Sequence, residues 1–210
     1  MRQVAVDGVG ASAGSFGDDV VGLTNVVGVI AQPAGHAVIP CSAIQHVVAR
    51  TAGEGVVEVG TGSGVGSLWL LDGMLESGTL TSIDDEMEHT QIAKMAFAEA
   101  DIPQSRYRLI TNNVVDVISK LTDRAYDLVV VRHNPEDLSF VIGEAHRILR
   151  SGGALIIDNY YGGGKVSDAA QRDPKTVALR DAGKIIKNDS EHWVSSLIPI
   201  GDGLLIATKV

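Results

Sequence analysis

Cysteine is almost missing from this 210-residue chain: Cys41 stands alone. An intrachain disulfide and any multi-cysteine metal cluster are thereby excluded, and a single thiol suits a reducing compartment. Basic residues are scarce too, 17 against 26 acidic ones, for a net charge of −9. A phosphate backbone would meet an unfavourable field, so the sequence does not read as a nucleic-acid binder. No apolar run nears the roughly 18 residues that span a bilayer. Asp7 interrupts the N-terminus before a signal-peptide core forms. What is present is 45% hydrophobic, too apolar for disorder and long enough for one domain with a real core. The expectation is a soluble, cytoplasmic, globular protein that binds neither membrane nor nucleic acid.

Along the chain, residues 1–17 are small and aperiodic and read as a loose arm. Helices are predicted from Asp18 to Ala31 and from Ala43 to Ala49, the second capped by Ser42, with Pro33, Gly35 and Pro40 breaking the chain between them. This gives an N-terminal arm and helices over 1–50 and a main domain over 51–210, compact as one unit. From Val56 the pattern turns regular. Short β-branched runs at Val56–Val59, Leu80–Ile83, Arg108–Thr111, Leu128–Val131 and Leu155–Ile157 alternate with helical stretches. Those stretches are Val65–Leu75, Met87–Ala100, Val114–Leu121 and Leu138–Leu149. Apolar strands separated by helices predict an α/β fold, a parallel sheet covered on both faces. The Gly152–Gly153 pair reads as the C-cap that ends the helix at Leu149. After a helix at Pro174–Asn188, strands Trp193–Pro199 and Leu204–Lys209 flank Gly201-Asp202-Gly203 and predict an antiparallel hairpin.

The strongest motif is Val57-Glu58-Val59-Gly60-Thr61-Gly62-Ser63-Gly64-Val65-Gly66, a strand entering a glycine turn that opens a helix. Such a turn lets a ligand approach the backbone and meet the free N–H groups of the helix start. A dinucleotide fingerprint would need its last glycine or alanine where Val65 or Ser67 stands, and no Gly-Lys-Ser/Thr follows to make a P-loop. Asp84 ends the next strand, where a carboxylate can accept both hydroxyls of a ribose. Asp85, Glu86 and Glu88 read instead as charges favourable to the helix dipole. Tyr160-Tyr161 ahead of Gly162-Gly163-Gly164 is open between a mobile loop over an acceptor and a plain surface turn. Trp69, Met87 and Met95 fall at helical spacing and are assigned to the core. His36, His46, His89, His146 and His192 show no metal-ligand spacing and receive no function.

These pieces resemble the small class I S-adenosylmethionine-dependent O-methyltransferases of the catechol and caffeoyl-CoA type, in their bacterial form. The matching segments are Val57 to Gly64, Thr81-Ser82-Ile83-Asp84, Tyr126-Asp127-Leu128-Val129, Leu149-Arg150-Ser151-Gly152-Gly153, Ile157-Asp158-Asn159 and Pro199 to Gly203. The resemblance implies a Rossmann-like, mostly parallel seven-stranded sheet with a C-terminal antiparallel hairpin, S-adenosylmethionine as donor, a small-molecule acceptor, and a homodimer. By position it implies Glu58, Gly60, Thr61, Gly62 and Gly66 on the methionine and ribose side, Asp84 on the ribose, and Asn113 and Val114 beside the adenine.

One site departs from the pattern. The family holds a divalent cation with an Asp directly after the fourth strand and an Asp-Asn pair after the fifth. The pair is present as Asp158-Asn159, but the first position is Arg132, in Arg132-His133-Asn134-Pro135, and the lysine base has become Pro135. A guanidinium beside a hard cation is repelled by it, so the sequence argues against family-style Mg²⁺ binding. Arg132, His133, Asp158 and Asn159 are therefore the catalytic candidates: His133 reads either as a base near neutral pH or as a strand-end histidine without a ligand contact, and Arg132 is directed toward Asp158 or, in an inactive site, out to solvent. The alternatives are a non-catalytic S-adenosylmethionine or S-adenosylhomocysteine binder and, behind it, an NAD(P)-dependent oxidoreductase.

Overall fold

The computed structural model describes residues 54–132 and 135–210. The arm, the two N-terminal helices, the boundary near residue 50 and His133 lie outside the described residues.

Seven strands form a single sheet: β1 (Gly55–Val59), β2 (Thr79–Asp84), β3 (Tyr107–Thr111), β4 (Tyr126–Val131), β5 (Leu149–Ile157), β6 (Trp193–Ile198) and β7 (Leu204–Lys209). Five helices accompany them: α1 (Val65–Gly73), α2 (Met87–Glu99), α3 (Val114–Ile118), α4 (Leu138–Ile148) and α5 (Pro174–Asn188). The strand order is β3-β2-β1-β4-β5-β7-β6. β1 to β5 run parallel, and β7 pairs antiparallel with both β5 and β6.

The apolar runs explain the layering. Val57, Val59, Val129, Val131, Leu155 and Ile157 enter one cluster with residues of α3, α4 and α5. Their alternates Val56, Leu128, Val130 and Ile156 are equally buried and, by the two-residue period of a strand, point to the other face. Each such side chain contributes roughly 1.5–3 kcal/mol relative to exposure. Helix α4 buries Leu138, Val141, Ile142, Ala145 and Ile148, a stripe at helical spacing. Helix α5 starts on Asp173, whose side chain accepts the Thr176 N–H, with Pro174 in the first turn. The strand order reverses between β1 and β4, which opens a crevice at their carboxyl ends, as at other switch points of open α/β sheets. Among the described residues no helix is long and apolar enough to cross a membrane.

Two sequence expectations fail. Gly152 and Gly153 lie inside β5, and α4 ends because Leu149 turns extended (φ −70°, ψ 139°). Gly152, at φ 78°, belongs to an irregular start of the strand, where the register against β4 shifts. Met87 and Met95 are not core: they are 63% and 65% exposed, and Trp69 is 37% exposed. Helical spacing places residues on one face without saying which face is covered.

Candidate functional site

The turn after β1 is tied to the neighbouring strand by Gly60 N–H, which donates to the Ile83 carbonyl at 2.8 Å. Gly62, at φ 52°, adopts the left-handed backbone that glycine tolerates and aims its N–H at Asp84 Oδ2, 2.9 Å away. Asp84 Oδ1 accepts from Glu86 N–H and meets His89 Nδ1, each at 3.0 Å. Burial pushes the Asp84 carboxyl up, but the Gly62 and Glu86 N–H groups and His89 outweigh it and hold it below its ordinary value. His89 is raised in turn, first by its hydrogen bond to Asp84 and then by that carboxylate's charge. Sequence reasoning left His89 without a role; its place five residues after Asp84, in the first turns of α2, was the available signal.

Beneath this turn lies a buried polar chain. Glu58 is fully buried; its Oε2 accepts from Ser82 Oγ at 2.6 Å and from Ser67 Oγ, and Thr61 Oγ1 lies 2.6 Å from Ser82 Oγ. Its Oε1 faces Arg132 Nη1 at 2.7 Å. The sequence directed Arg132 toward Asp158, with which it shares a cavity wall; the structure also pairs its guanidinium with Glu58 on the adjacent strand, a partner the sequence reading did not name. Backbone geometry brings them together, because Arg132 N–H donates to the Val59 carbonyl at 2.9 Å as β4 ends beside β1. The guanidinium rests on the first turn of α1, where a Cβ at Gly66 would fall 1.3 Å from Nη1.

Arg132 divides two cavities. One, of about 260 Å³, is lined by Gly60, Thr61, Gly62, Gly66, Asp84 and His89 together with Arg132. A narrow cleft continues from Gly60 and Asp84 to Asn112, Asn113 and Val114. Asn113 is held there as the N-cap of α3, accepting the Val115 N–H at 2.8 Å. The second cavity, about 240 Å³, has Arg132, Asp158, Asn159, Lys165, Asp173 and Lys175 in its wall. Lys165, Asp173 and Lys175 come from segments that the sequence reading did not connect to the site. Asp158 N–H donates to the Val131 carbonyl at 2.9 Å, so β5 delivers its Asp-Asn pair beside Arg132. With a guanidinium at the third position, this donor set does not fit a divalent cation. Among the described residues no group of three or more His, Cys, Asp or Glu is placed to hold one.

The loop after β5 is a turn with Gly163 and Gly164 exposed and with Gly162 and Lys165 in the wall of the second cavity, but Tyr160 does not reach over that cavity. Tyr160 is buried, with its hydroxyl against α5: a Cβ at Gly183 would fall 1.9 Å from it. That burial raises the Tyr160 phenol above its ordinary value. Tyr160 and Tyr161 N–H groups donate to the Gly203 and Asp202 carbonyls at 2.9 and 2.7 Å, and Gly163 N–H donates to Asp202 Oδ2 at 2.7 Å. The hairpin turn thus fastens the loop to the sheet.

A glycine turn, a carboxylate one strand away and a switch-point crevice define an α/β fold that binds nucleosides at the carboxyl ends of its strands. The O-methyltransferase family profile matches residues 42–210, and the chain belongs to that family. A curated relative from Mycobacterium sp. (strain JLS), provisionally named an O-methyltransferase, is 46% identical over 72% of this chain and 68% of its own. One from Mycobacteroides abscessus, named in the same way, is 46% identical over 72% and 70%. A solved protein from Corynebacterium glutamicum superposes with a TM-score of 0.75 at 29% identity, covering 92% of each chain. The Bacillus cereus O-methyltransferase, solved with S-adenosylhomocysteine, shares the fold at a TM-score of 0.75 and 20% identity, covering 90% of each chain.

Proposed function

We propose that this chain is an S-adenosylmethionine-dependent O-methyltransferase that acts on a small hydroxylated acceptor without a divalent metal. The observation that carries this reading is Asp84, buried at the rim of the glycine turn and anchored by Gly62 N–H, in a cavity one side chain away from a second one.

The residues present fit a nucleoside donor. A carboxylate offers about four lone-pair sites. Gly62, Glu86 and His89 use three at Asp84, so one ribose hydroxyl takes the open site and the other enters by displacing His89, the exposed partner. Gly60, Thr61 and Gly66 line the rest of that wall, with Glu58 beneath Arg132, and Asn113 and Val114 border the continuing cleft. When bound, S-adenosylmethionine supplies an electrophilic methyl group. The task of the chain is then to hold an acceptor oxygen in line and to favour its deprotonated form. Arg132, between the cavities, can hydrogen-bond an oxyanion. Asp158 and Asn159 line the acceptor side and orient the hydroxyl. His133 is retained in the proposal as the base.

Calorimetry tests the cofactor: S-adenosylhomocysteine is expected to bind, and stabilisation by NAD(P) alone would reject the assignment. Methyl transfer is expected to survive EDTA and to fall sharply in Arg132→Ala; chelator-sensitive turnover would restore a metal mechanism. The reading extends to a cytoplasmic homodimer. The lone Cys41 supports a reducing compartment, and the exposed Val194 and Leu197 of edge strand β6 support an interface. Light scattering that returns a monomer mass would refute the dimer.

A further inference from the structure

We propose that the cavity across Arg132 selects an acceptor that carries an anionic group, held by Lys165 and Lys175. This rests on the reading that the cavity takes the methyl acceptor, and it names the chemical class of that acceptor.

The wall of this cavity has two halves of different origin. Arg132, Asp158 and Asn159 directly follow β4 and β5, whereas Lys165, Asp173 and Lys175 come from the loop after β5 and the start of α5. Val131, Leu138, Ile157 and Leu179 add apolar surface around a volume of about 240 Å³, which suits a small occupant with an apolar body.

Both lysines are set by backbone that the fold holds in place. The Arg180 guanidinium donates to the carbonyls of Lys165, Val166, Asp168 and Gln171, at 3.5, 3.2, 2.9 and 3.4 Å, and so ties the segment bearing Lys165 to α5. Lys175 stands in the first turn of α5, where a cation opposes the helix dipole. Beyond the cap Asp173, that turn holds no acidic residue to offset it. A residue that breaks a local rule of folding marks a place where function is expected to set the choice.

The carboxylates in the wall are already engaged. Asp173 accepts the Thr176 N–H at 3.1 Å, and it is held below its ordinary value first by the Thr176 side chain and N–H, then to a lesser degree by the Lys165 charge. Asp158 Oδ1 accepts the Asn159 N–H at 2.7 Å. The ammonium groups of Lys165 and Lys175 donate to no group among the described residues, so each keeps its N–H donors for a ligand. The half of the wall built from the loop and α5 therefore sets two ammonium groups against one carboxylate. Its attraction is local, because a chain of net charge −9 repels an anion at long range. An occupant whose anionic group takes these donors has its remaining length to bring a hydroxyl to Asp158 and Asn159.

Titration calorimetry on the full chain, saturated with S-adenosylhomocysteine, reads the preference with protocatechuate and its uncharged isostere protocatechuamide as probes. The acid is expected to bind about tenfold more tightly than the amide, through two charge-assisted contacts at an exposed mouth. Lys165→Gln and Lys175→Gln, at exposed positions that the fold does not need, each lower that preference about threefold, and the double variant abolishes it. Lys94→Gln, exposed on α2 and outside both cavities, removes the same charge and keeps the wild-type preference. Raised ionic strength narrows the preference in the wild type. Acid and amide binding equally well to the wild type, or neither binding, would overturn the proposal. So would a loss in Lys94→Gln equal to that in the cavity lysines, which would reduce the effect to net charge. Failure of the wild type to bind S-adenosylhomocysteine would instead remove the donor reading, on which the assignment of this cavity to the acceptor depends.

Discussion

The donor cavity takes most of its wall from one stretch, Gly60–Gly66, completed by Asp84 and His89 from the next strand and helix. The cavity across Arg132 draws on the ends of β4 and β5, the loop after β5 and the start of α5. The first is built largely from backbone, a glycine turn whose N–H groups are aimed by φ angles; the second is built from side chains of both charges. Backbone geometry constrains which ligand class fits, whereas a side-chain wall is retuned by single substitutions. Arg132 shows the difference, since one residue changes the chemistry of the second cavity while the turn beside it keeps its form.

The sharpest way to break this division is to remove the residue that joins the two halves. Arg132→Ala strips the partner from a buried carboxylate, and the expected loss of stability is about 3 kcal/mol, the lower end for a broken buried pair because Arg132 is partly exposed. Urea unfolding checks it, and a loss below about 1 kcal/mol would separate the pair from the fold. Next in size, Asp84→Ala acts on the donor side alone. Losing charge-assisted hydrogen bonds to the ribose is expected to weaken S-adenosylhomocysteine binding by roughly 1.5–3 kcal/mol. Unchanged affinity in a folded variant would take Asp84 out of the site. Asn113→Ala removes the cap of α3 at the far end of the same cleft, with an expected cost of about 1 kcal/mol in thermal unfolding.

The smallest effect is on pH dependence. The folded-state pKa of His89 is raised by Asp84, so its contribution to stability is fully present below the unfolded value near 6.5 and is lost as pH rises through the folded value. The same deprotonation loosens its hold on Asp84. S-adenosylhomocysteine affinity is expected to increase modestly as pH rises through the raised His89 value, above about 6.5, in the wild type, and His89→Ala is expected to flatten that profile. A profile identical in both proteins would show that His89 does not compete for the carboxylate.

How much was legible in the sequence follows the same division. The turn from Glu58 to Gly66 and the carboxylate at Asp84 could be read because their signals are local: a strand, closely spaced glycines, and the end of the next strand. Six of the seven described strands were anticipated within a residue or two, since β-branched runs between helices leave few alternatives; of β5 only the last three residues were, because Arg150-Ser151-Gly152-Gly153 carries no strand pattern. The Arg132–Glu58 pair could not be read, because it depends on β4 lying beside β1, a neighbour relation that spacing along the chain does not encode. Lys165 and Lys175 were missed for the same reason. Tyr160 was misjudged because a glycine run beside two aromatics gives no sign that Gly183 on α5 leaves room for the ring.

The hydrogen bonds from the loop after β5 to Asp202 and Gly203 also set a timetable for synthesis. A chain made from its N-terminus can align β1, β2 and β3, with Asp84 in place, as soon as residues up to Thr111 have emerged. The outer edge of β5 waits much longer, because its partner β7 is the last strand in sequence yet sits inside the sheet. Until Gly201–Gly203 has emerged, the loop bearing Asn159 and Gly162 lacks its hydrogen bonds to the hairpin turn. The glycine turn and Asp84 can thus be set early, whereas the wall across Arg132 is finished only once the last strand is in place.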